Sequence, residues 1–372
     1  YLGLYISLCG EVVRLGVGTV LVRRAIALTV ALVIVVILTA VILGASGYDV
    51  KIWQALIHEQ LRAYQMQLQR SNVPPAKVKQ LVSEYKERLI KLYGLDKPWY
   101  ERFWPLVSNT LTFNLGISES YDVADVAGVP YPVRVGDAIM RCLPRTIVMI
   151  TIAQLICAAA ALYVGPFIAY RRGTMFDRAI VSYSALTNAI PVWWLGMILI
   201  FFLSYRAGIF PTDFRSVVAY INNFWRNPLM NLVQIFYYAS LPIITIVIAF
   251  LGSWFYTVRA MVLRVVREDF VIVAKAKGLP ERYIASKHVL RAAAPPVVTN
   301  VILSLAASLS GYIITESVFN WPGMGTLYWV AIRAADLPTI LGLTYAFTLV
   351  YILARFILEV LYIFLDPRVR YR

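Results

Sequence analysis

Six apolar stretches of about twenty residues or more divide this chain, and they leave it few ways to fold. An α-helix rises about 1.5 Å per residue, so roughly 20 residues cross a hydrocarbon core of about 30 Å. The stretches are Ala25 to Gly44, Thr146 to Tyr170, Ala179 to Leu203, Phe236 to Val258, Val297 to Val318 and Pro338 to Leu365. Composition points the same way, with 60% hydrophobic residues, 15% charged and a mean hydropathy of +0.69. Soluble domains are about 45 to 50% apolar and about 25% charged. The sequence therefore predicts an all-α integral membrane protein with six transmembrane helices, multi-pass in the cell membrane and in contact with lipid.

Lysine and arginine set the direction of the crossings. Arg14, Arg23 and Arg24 precede the first stretch, and Arg171, Arg172 and Arg178 lie between the second and third. Eight basic residues fall between Arg259 and Arg291, and Arg368, Arg370 and Arg372 close the chain. Seventeen of the 35 basic residues thus occupy short segments on one side, against four in the two short loops opposite. By the positive-inside rule both termini are expected in the cytoplasm. The same distribution accounts for the net charge of +15, because anionic inner-leaflet lipid attracts cations at span ends; no nucleic-acid partner is expected. The chain begins at Tyr1 without an initiator Met, so the natural N-terminus is expected upstream. The first apolar stretch has no small-residue cleavage site and reads as a span, not a removed signal. Residues 1–24 read as a cytoplasmic segment, either an interfacial helix on the inner leaflet or a disordered tail.

Residues 45–145 are too long and too polar for a connector. They are expected to form a mainly helical extracytoplasmic domain inserted between the first two spans. Tyr48 to Gln69 and Ala76 to Tyr93 carry apolar residues at helical spacing, and Ser71, Asn72, Pro74 and Pro75 separate them. Beyond Leu95 the pattern becomes irregular, with Trp99, Tyr100, Phe103 and Trp104 suited to a membrane interface. Residues 146–372 make up the membrane core, with the basic loop 259–296 inside it. In that loop, Ala274, Ala276 and Gly278 have so little side chain that a short helix here is expected to lie close against a partner's backbone. Held between two spans, with Lys275, Lys277, Arg282, Lys287 and Arg291 keeping it cytoplasmic, it reads as a docking element for another protein.

Motifs for chemistry fail in turn. No GxxxxGK followed by Ser or Thr provides a phosphate cradle, and no GxSxG elbow provides a nucleophile. His58 and His288 are the only histidines and fall on opposite sides of the membrane; Cys9, Cys142 and Cys157 are too scattered for a disulfide framework or a zinc site. The chain is expected to be no enzyme and to hold no metal or cofactor of its own, so the energy for any uphill movement must come from elsewhere. Polar and helix-breaking residues within the spans have two readings each. Arg355 and Glu359, four apart, form either a structural ion pair or part of a pathway. Glu316, followed by the helix-breaking NWPGMG with Asn320 and Trp321, either anchors an outer turn or stands near an external gate. Pro191, just before Trp193 and Trp194, is either an idle kink or a cavity-lining bend.

Several of these motifs resemble one family. EDFVIVAKAKGLPERYIASKHVLRAAAPPVVT resembles the cytoplasmic loop of ABC importer permeases, in particular the dipeptide and oligopeptide subfamily. ESVFNWPGMG, LDPRVRY, AIPVWWLG, GLDKPW and NLGIS resemble further segments of that subfamily in the same order, so the likeness runs from about Gly94 to the C-terminus. The resemblance implies a type I importer fold that pairs with a second, homologous permease, most simply as a heterodimer. It implies two cytoplasmic ATPase subunits, which hold the ATP and Mg, and an extracytoplasmic substrate-binding protein. Residues Ala274, Lys275, Ala276, Lys277, Gly278, Leu279 and Pro280 would then form the coupling helix that seats in an ATPase groove. The chain departs from the pattern at Ile272, where the wider family has a glutamate, and at Arg355, where an asparagine is usual; its insertion between Tyr48 and Tyr93 is also longer than expected. Peptides are the substrate the resemblance implies, with oligosaccharides as the alternative. A membrane-embedded transferase or a passive channel are the competing readings from other classes.

Overall fold

The computed structural model describes residues 17–71, 73–170, 173–308 and 312–365. The first helix, α1 (Val17–Ser46), is followed by α2 (Tyr48–Arg70), α3 (Pro75–Leu92) and α4 (Trp99–Leu111). A two-residue strand β1 (Ile117–Ser118) pairs antiparallel with β2 (Val133–Arg134) around α5 (Tyr121–Ala127). The long α6 (Val135–Tyr170) leads to α7 (Met175–Ala189) and α8 (Val192–Leu199), which continues as a π-helix over Ile200–Arg206. After α9 (Val217–Asn222) come α10 (Pro228–Val265), α11 (Asp269–Ala276), α12 (Glu281–Tyr283) and a second π-helix over Ile284–Val289. The chain ends in α13 (Leu290–Ser308), α14 (Ile313–Phe319), α15 (Met324–Arg333) and α16 (Leu337–Leu365).

Among the described residues, Leu21–Ser46, Val135–Gly165, Pro228–Val265 and Leu337–Ile357 are helices long and apolar enough to cross a membrane, and α7 with α8 and its π extension makes a fifth such unit. The expected span Val297 to Val318 is divided between α13 and α14, with residues 309–311 outside the described residues. The expected Tyr48 and Ala76 helices correspond to α2 and α3, whose apolar faces meet through the Tyr64 and Tyr85 rings, 4.6 Å apart. The stretch after Leu95 is more regular than expected. Pro98 starts α4, whose Phe103, Leu106, Val107 and Leu111 repeat at helical spacing and pack with Leu32, Val36 and Ala40 of α1 and Tyr345 of α16. The second crossing helix starts at Val135, earlier than Thr146: Arg145, which lowers its hydropathy, finds polar partners inside the protein, and the exposed Arg141 donates to Asn222.

The helices α6 and α10 run side by side in the same direction. Ile150 and Ala153 share a core with Ala239, Ile243 and Ile246, and farther along Cys157 and Ala161 share one with Trp254, Val258 and Val262. Gln154 accepts a hydrogen bond of 2.9 Å from the Trp254 indole between them. In lipid there is no hydrophobic gain from pairing apolar helices, so close contact at small residues does the holding.

The third crossing is a broken span. Its two halves are bent by 96° at the break. Contacts with α10 nonetheless carry it along the full depth of the bundle. Asp177 pairs with Arg259, Tyr183 donates to the Ile248 carbonyl at 2.7 Å, a Cβ on Gly196 would lie 3.7 Å from Thr245, and Tyr237 donates to the Ile209 carbonyl at 3.1 Å. From 259 to 237 the axis of α10 rises about 33 Å, close to one hydrocarbon thickness. Expected as a kink, Pro191 therefore ends one helix and caps the next.

The crossing point of α7 on α10 depends on Gly252. A Cβ there would lie 2.3 Å from Thr187 Oγ1 and 2.8 Å from the Ser184 Cα, and the Ser184 hydroxyl donates to the Gly252 carbonyl. Because backbone blocks the way, Gly252→Ala is expected to cost about 1–3 kcal/mol through overpacking, read as a lowered unfolding temperature of the detergent-purified protein.

Candidate functional site

Two sites at opposite ends of the bundle carry the residues singled out by sequence. The basic end gathers the end of α6, the start of α7, the end of α10 and the segment 266–291. The Arg259 guanidinium grips Asp177 with Nε–Oδ1 at 2.6 Å and Nη2–Oδ2 at 3.0 Å, and the Gly173 amide donates to the same carboxylate at 2.9 Å. This forked pair ties the α6–α7 connection to α10 and puts both basic segments on one side of the molecule.

Beside it lies α11. Val271 and Ala274, one turn apart, are buried with Val258 and Val262 of α10, Cys157, Ala158 and Ala161 of α6, and Ile284, Val289 and Ala293 beyond. Phe270, Ile272 and Val273 face outward, each 43 to 58% exposed, and Lys275, Ala276, Lys277 and Gly278 are exposed with them. The expectation that Ala274 lies against a partner is corrected here: its helical register with Val271 turns it into this chain's own core. Ala276 and Gly278 remain on the open face, Leu279 is half-buried, and Pro280 caps α12. The Arg282 side chain lies outside the described residues.

The role of Gly278 is in the backbone. Its φ of 72° is left-handed, its amide donates to the Lys275 carbonyl at 2.9 Å, and the Leu279 amide donates to the Ala274 carbonyl at 3.4 Å. This pair of bonds is a Schellman motif, which closes a helix end where the chain turns back. Among the described residues, nothing lies within 4 Å of a Cβ built there, so the requirement is conformational.

At the opposite end stands Glu316, 1% exposed. Its Oε1 accepts from the Thr146 hydroxyl at 2.8 Å; its Oε2 accepts from the Gly325 amide at 2.8 Å and the Thr326 amide at 3.4 Å. Thr146 Oγ1 in turn accepts from the Met324 amide at 2.8 Å. The carboxylate and the hydroxyl together satisfy the open N-terminus of α15, where a negative charge is favoured. A Cβ on Gly323 would lie 2.3 Å from Glu316 Oε2, and one on Gly325 2.7 Å from the Ile313 Cα, which explains both glycines of NWPGMG. Glu316 thus ties the outer turn to α6 and to the start of α15. Asn320 takes the left-handed position at the end of α14, with φ 51°, and its side chain accepts from Arg215, which also pairs with Asp125. Trp321 is buried with Phe319 and Phe214 and does not face a pathway within this chain.

Sequence reasoning missed Arg145, whose guanidinium is buried and donates to the carbonyls of Val126, Ala127 and Pro322 at 3.1, 3.1 and 3.2 Å. The signal available was an arginine placed one residue before the apolar run. Asp336 caps the start of α16, accepting from Thr339 Oγ1 at 2.8 Å and from the Ser118 hydroxyl of β1. These two buried carboxylates thus serve helix ends, an arrangement that suits structure and not hydrolytic chemistry. Trp193 and Trp194 are exposed beside Pro191, and Gly196 on the same helix lets the Phe319 ring approach, 2.9 Å from where its Cβ would stand. The proposed partner of Arg355, the Glu359 side chain, lies outside the described residues, as does LDPRVRY beyond Leu365.

A family model, the binding-protein-dependent transport system inner membrane component, matches residues 161–371. The chain belongs to this family. It is 28% identical over 286 residues to the oligopeptide transport system permease protein AppB of Bacillus subtilis, covering 77% of this chain and 85% of that one. It is 30% identical over 290 residues to the di/tripeptide transport system permease protein DppB of Pseudomonas aeruginosa, covering 75% and 83%. The metal-staphylopine import system permease protein CntB of Staphylococcus aureus is 28% identical over 300 residues, covering 80% and 84%. Family and apolar helices together make this a multi-pass inner-membrane transport permease, and the helical architecture is that of a type I importer permease.

Removing the acceptor of the outer lock tests its weight. Glu316→Ala leaves buried amides of α15 without a partner and is expected to destabilise by about 3 kcal/mol, with Glu316→Gln in between; thermal unfolding of the purified protein measures it.

Proposed function

We propose that this chain forms half of the translocation pathway of an ATP-driven importer for peptides delivered by an extracytoplasmic binding protein. Its basic end and both termini face the cytoplasm, in keeping with the positive-inside rule. A second, homologous permease completes the pathway. Two ATPase subunits, carrying ATP and Mg, dock on the segment from Ala274 to Pro280 together with the outward face of α11. The observation that carries this reading is α11 itself: a short helix seated on α6, α10 and the start of α13 by Val271 and Ala274, with Phe270, Ile272 and Val273 exposed among cations. A helix held on one face and apolar on the other is built to receive a groove.

Force applied there has a direct route inward. The core under α11 is shared by α6, α10 and the π-helix that opens α13. Movement of the ATPases would shift these packed elements as rigid bodies and so change which side of the pathway is open. Peptides are the substrate because the permeases named above from Bacillus subtilis and Pseudomonas aeruginosa serve oligopeptide and di/tripeptide systems. Oligosaccharides, the alternative expected from sequence, find no support in the relatives named above. The decisive experiment is ATP hydrolysis by the reconstituted complex with its binding protein. Short peptides are expected to stimulate it; stimulation by oligosaccharides alone would overturn the substrate.

The role of Gly278 makes a separate prediction for docking. Asparagine tolerates the left-handed position, whereas a β-branched residue pays about 1–2 kcal/mol or more and loses the helix end. Gly278→Asn is therefore expected to keep co-purification with the ATPase subunits and Gly278→Val to lose it; failure of both would place the glycine's role in direct contact with the partner instead.

A further inference from the structure

The strongest unexplained feature is polar and lies inside the apolar part of the bundle. Along α10, the third crossing contacts Arg259 at one end and Tyr237 at the other, and its break at Ile190 and Pro191 falls between the contacts at Gly252 and Thr245. Ser253, which meets Asn188 beside the break, is six residues from Arg259, so these polar groups lie about 9 Å in from the basic end. The last carbonyls of α7 have lost their helical donors there, since Ile190 is extended, Pro191 has no N–H and, among the described residues, Val192 and Trp193 donate nothing back to α7. Asn188 stands at the same break and is exposed. Its Nδ2 donates to the Ser184 carbonyl at 2.8 Å and its Oδ1 accepts from the Ser253 hydroxyl of α10 at 3.0 Å, which among the described residues leaves one amide hydrogen and one lone pair open.

Facing lipid, such a set of polar groups would cost several kcal/mol; irregular backbone at this depth persists where it lines a water-filled cavity or is covered by protein. The chemistry of the groups selects between a charged and a neutral ligand. From Ala179 to Tyr205 and from Pro228 to Val258 there is no Asp, Glu, Lys or Arg, so a charged ligand group would find no counter-ion on either helix. What is offered is an amide, a hydroxyl and free carbonyls, with the exposed Trp193 and Trp194 rings beside them. A peptide backbone presents the complementary amide donors and acceptors whatever its side chains.

We infer that the α7–α8 break, with Asn188 and Ser253, is a site in the translocation pathway that binds the substrate's backbone amides. This rests on the peptide-importer reading above and adds the contact point to it. Asn188→Cys and, separately, Ser253→Cys are placed in a Cys9→Ser background, leaving the buried Cys142 and Cys157 in place. Each complex is reconstituted with its ATPases and binding protein and treated with a water-soluble maleimide on both faces of the membrane. Leu186→Cys, on the outward apolar face of the same helix, is the lipid-facing control.

Both test cysteines are expected to label while the control does not. Tetra-alanine supplied with the binding protein at about ten times its half-saturating concentration should slow labelling about tenfold, as occupancy of one site requires. Labelling no faster than at Leu186→Cys would mean that lipid or the second permease covers the break, and labelling that peptide leaves unchanged would mean water without substrate; either overturns the inference. Peptide-stimulated ATP hydrolysis, measured in parallel, separates the two claims: if it persists while the cysteines stay inert, only the site fails, and if it is absent, the importer reading fails first.

Discussion

A polar group inside hydrocarbon has no water to turn to, and the rest of this structure follows from how each such group is answered. Glu316 and Thr146 answer the open amides of α15; Asp336 answers the Thr339 amide of α16; Arg145 answers carbonyls at the end of α5 and at Pro322; Asp177 is answered by Arg259. Every one of these buried charges stands at or beside a helix end. Helix ends carry unsatisfied backbone and a matching partial charge, so a single side chain there settles both its own desolvation and that of the backbone.

The result is a bundle clamped by polar contacts near both membrane surfaces and joined by small-residue contacts through its depth. Gly252 admits α7 and Gly196 admits Phe319, and neither contact depends on a charge. Clamps of this kind hold a helix end in one place, whereas apolar contacts can slide by small amounts at little cost. In the importer reading proposed above, displacement enters such a bundle at the α11 end. The π-helices over Ile200–Arg206 and Ile284–Val289 lie on the two elements, the third crossing and the start of α13, that such a displacement would move.

Much of this was legible in the order of residues. The crossing helices stand out because about twenty apolar residues have one use, and the paired amphipathic helices α2 and α3 show their spacing directly. The loop near Gly278 was visible as a basic, small-residue segment between spans. Its two faces were not, since Ala274 looks as available as Ala276 until the register with Val271 turns one inward and leaves the other open. Glu316 was visible as an oddity near a span end, but its partner Thr146, 170 positions earlier in the chain, was not.

Local chemistry in the sequence thus determined what must be buried in lipid, where helices must stop and which side attracts cations, because hydropathy, proline and charge act through neighbouring residues. Tertiary structure alone decided which polar groups meet. Asn188 and Ser253 are ordinary residues in two apolar runs 65 positions apart, and only the packing of α7 across Gly252 joins them at the break in the third crossing. Partners so far apart in the chain are chosen by helix packing, and nothing in the local sequence around either residue encodes the other.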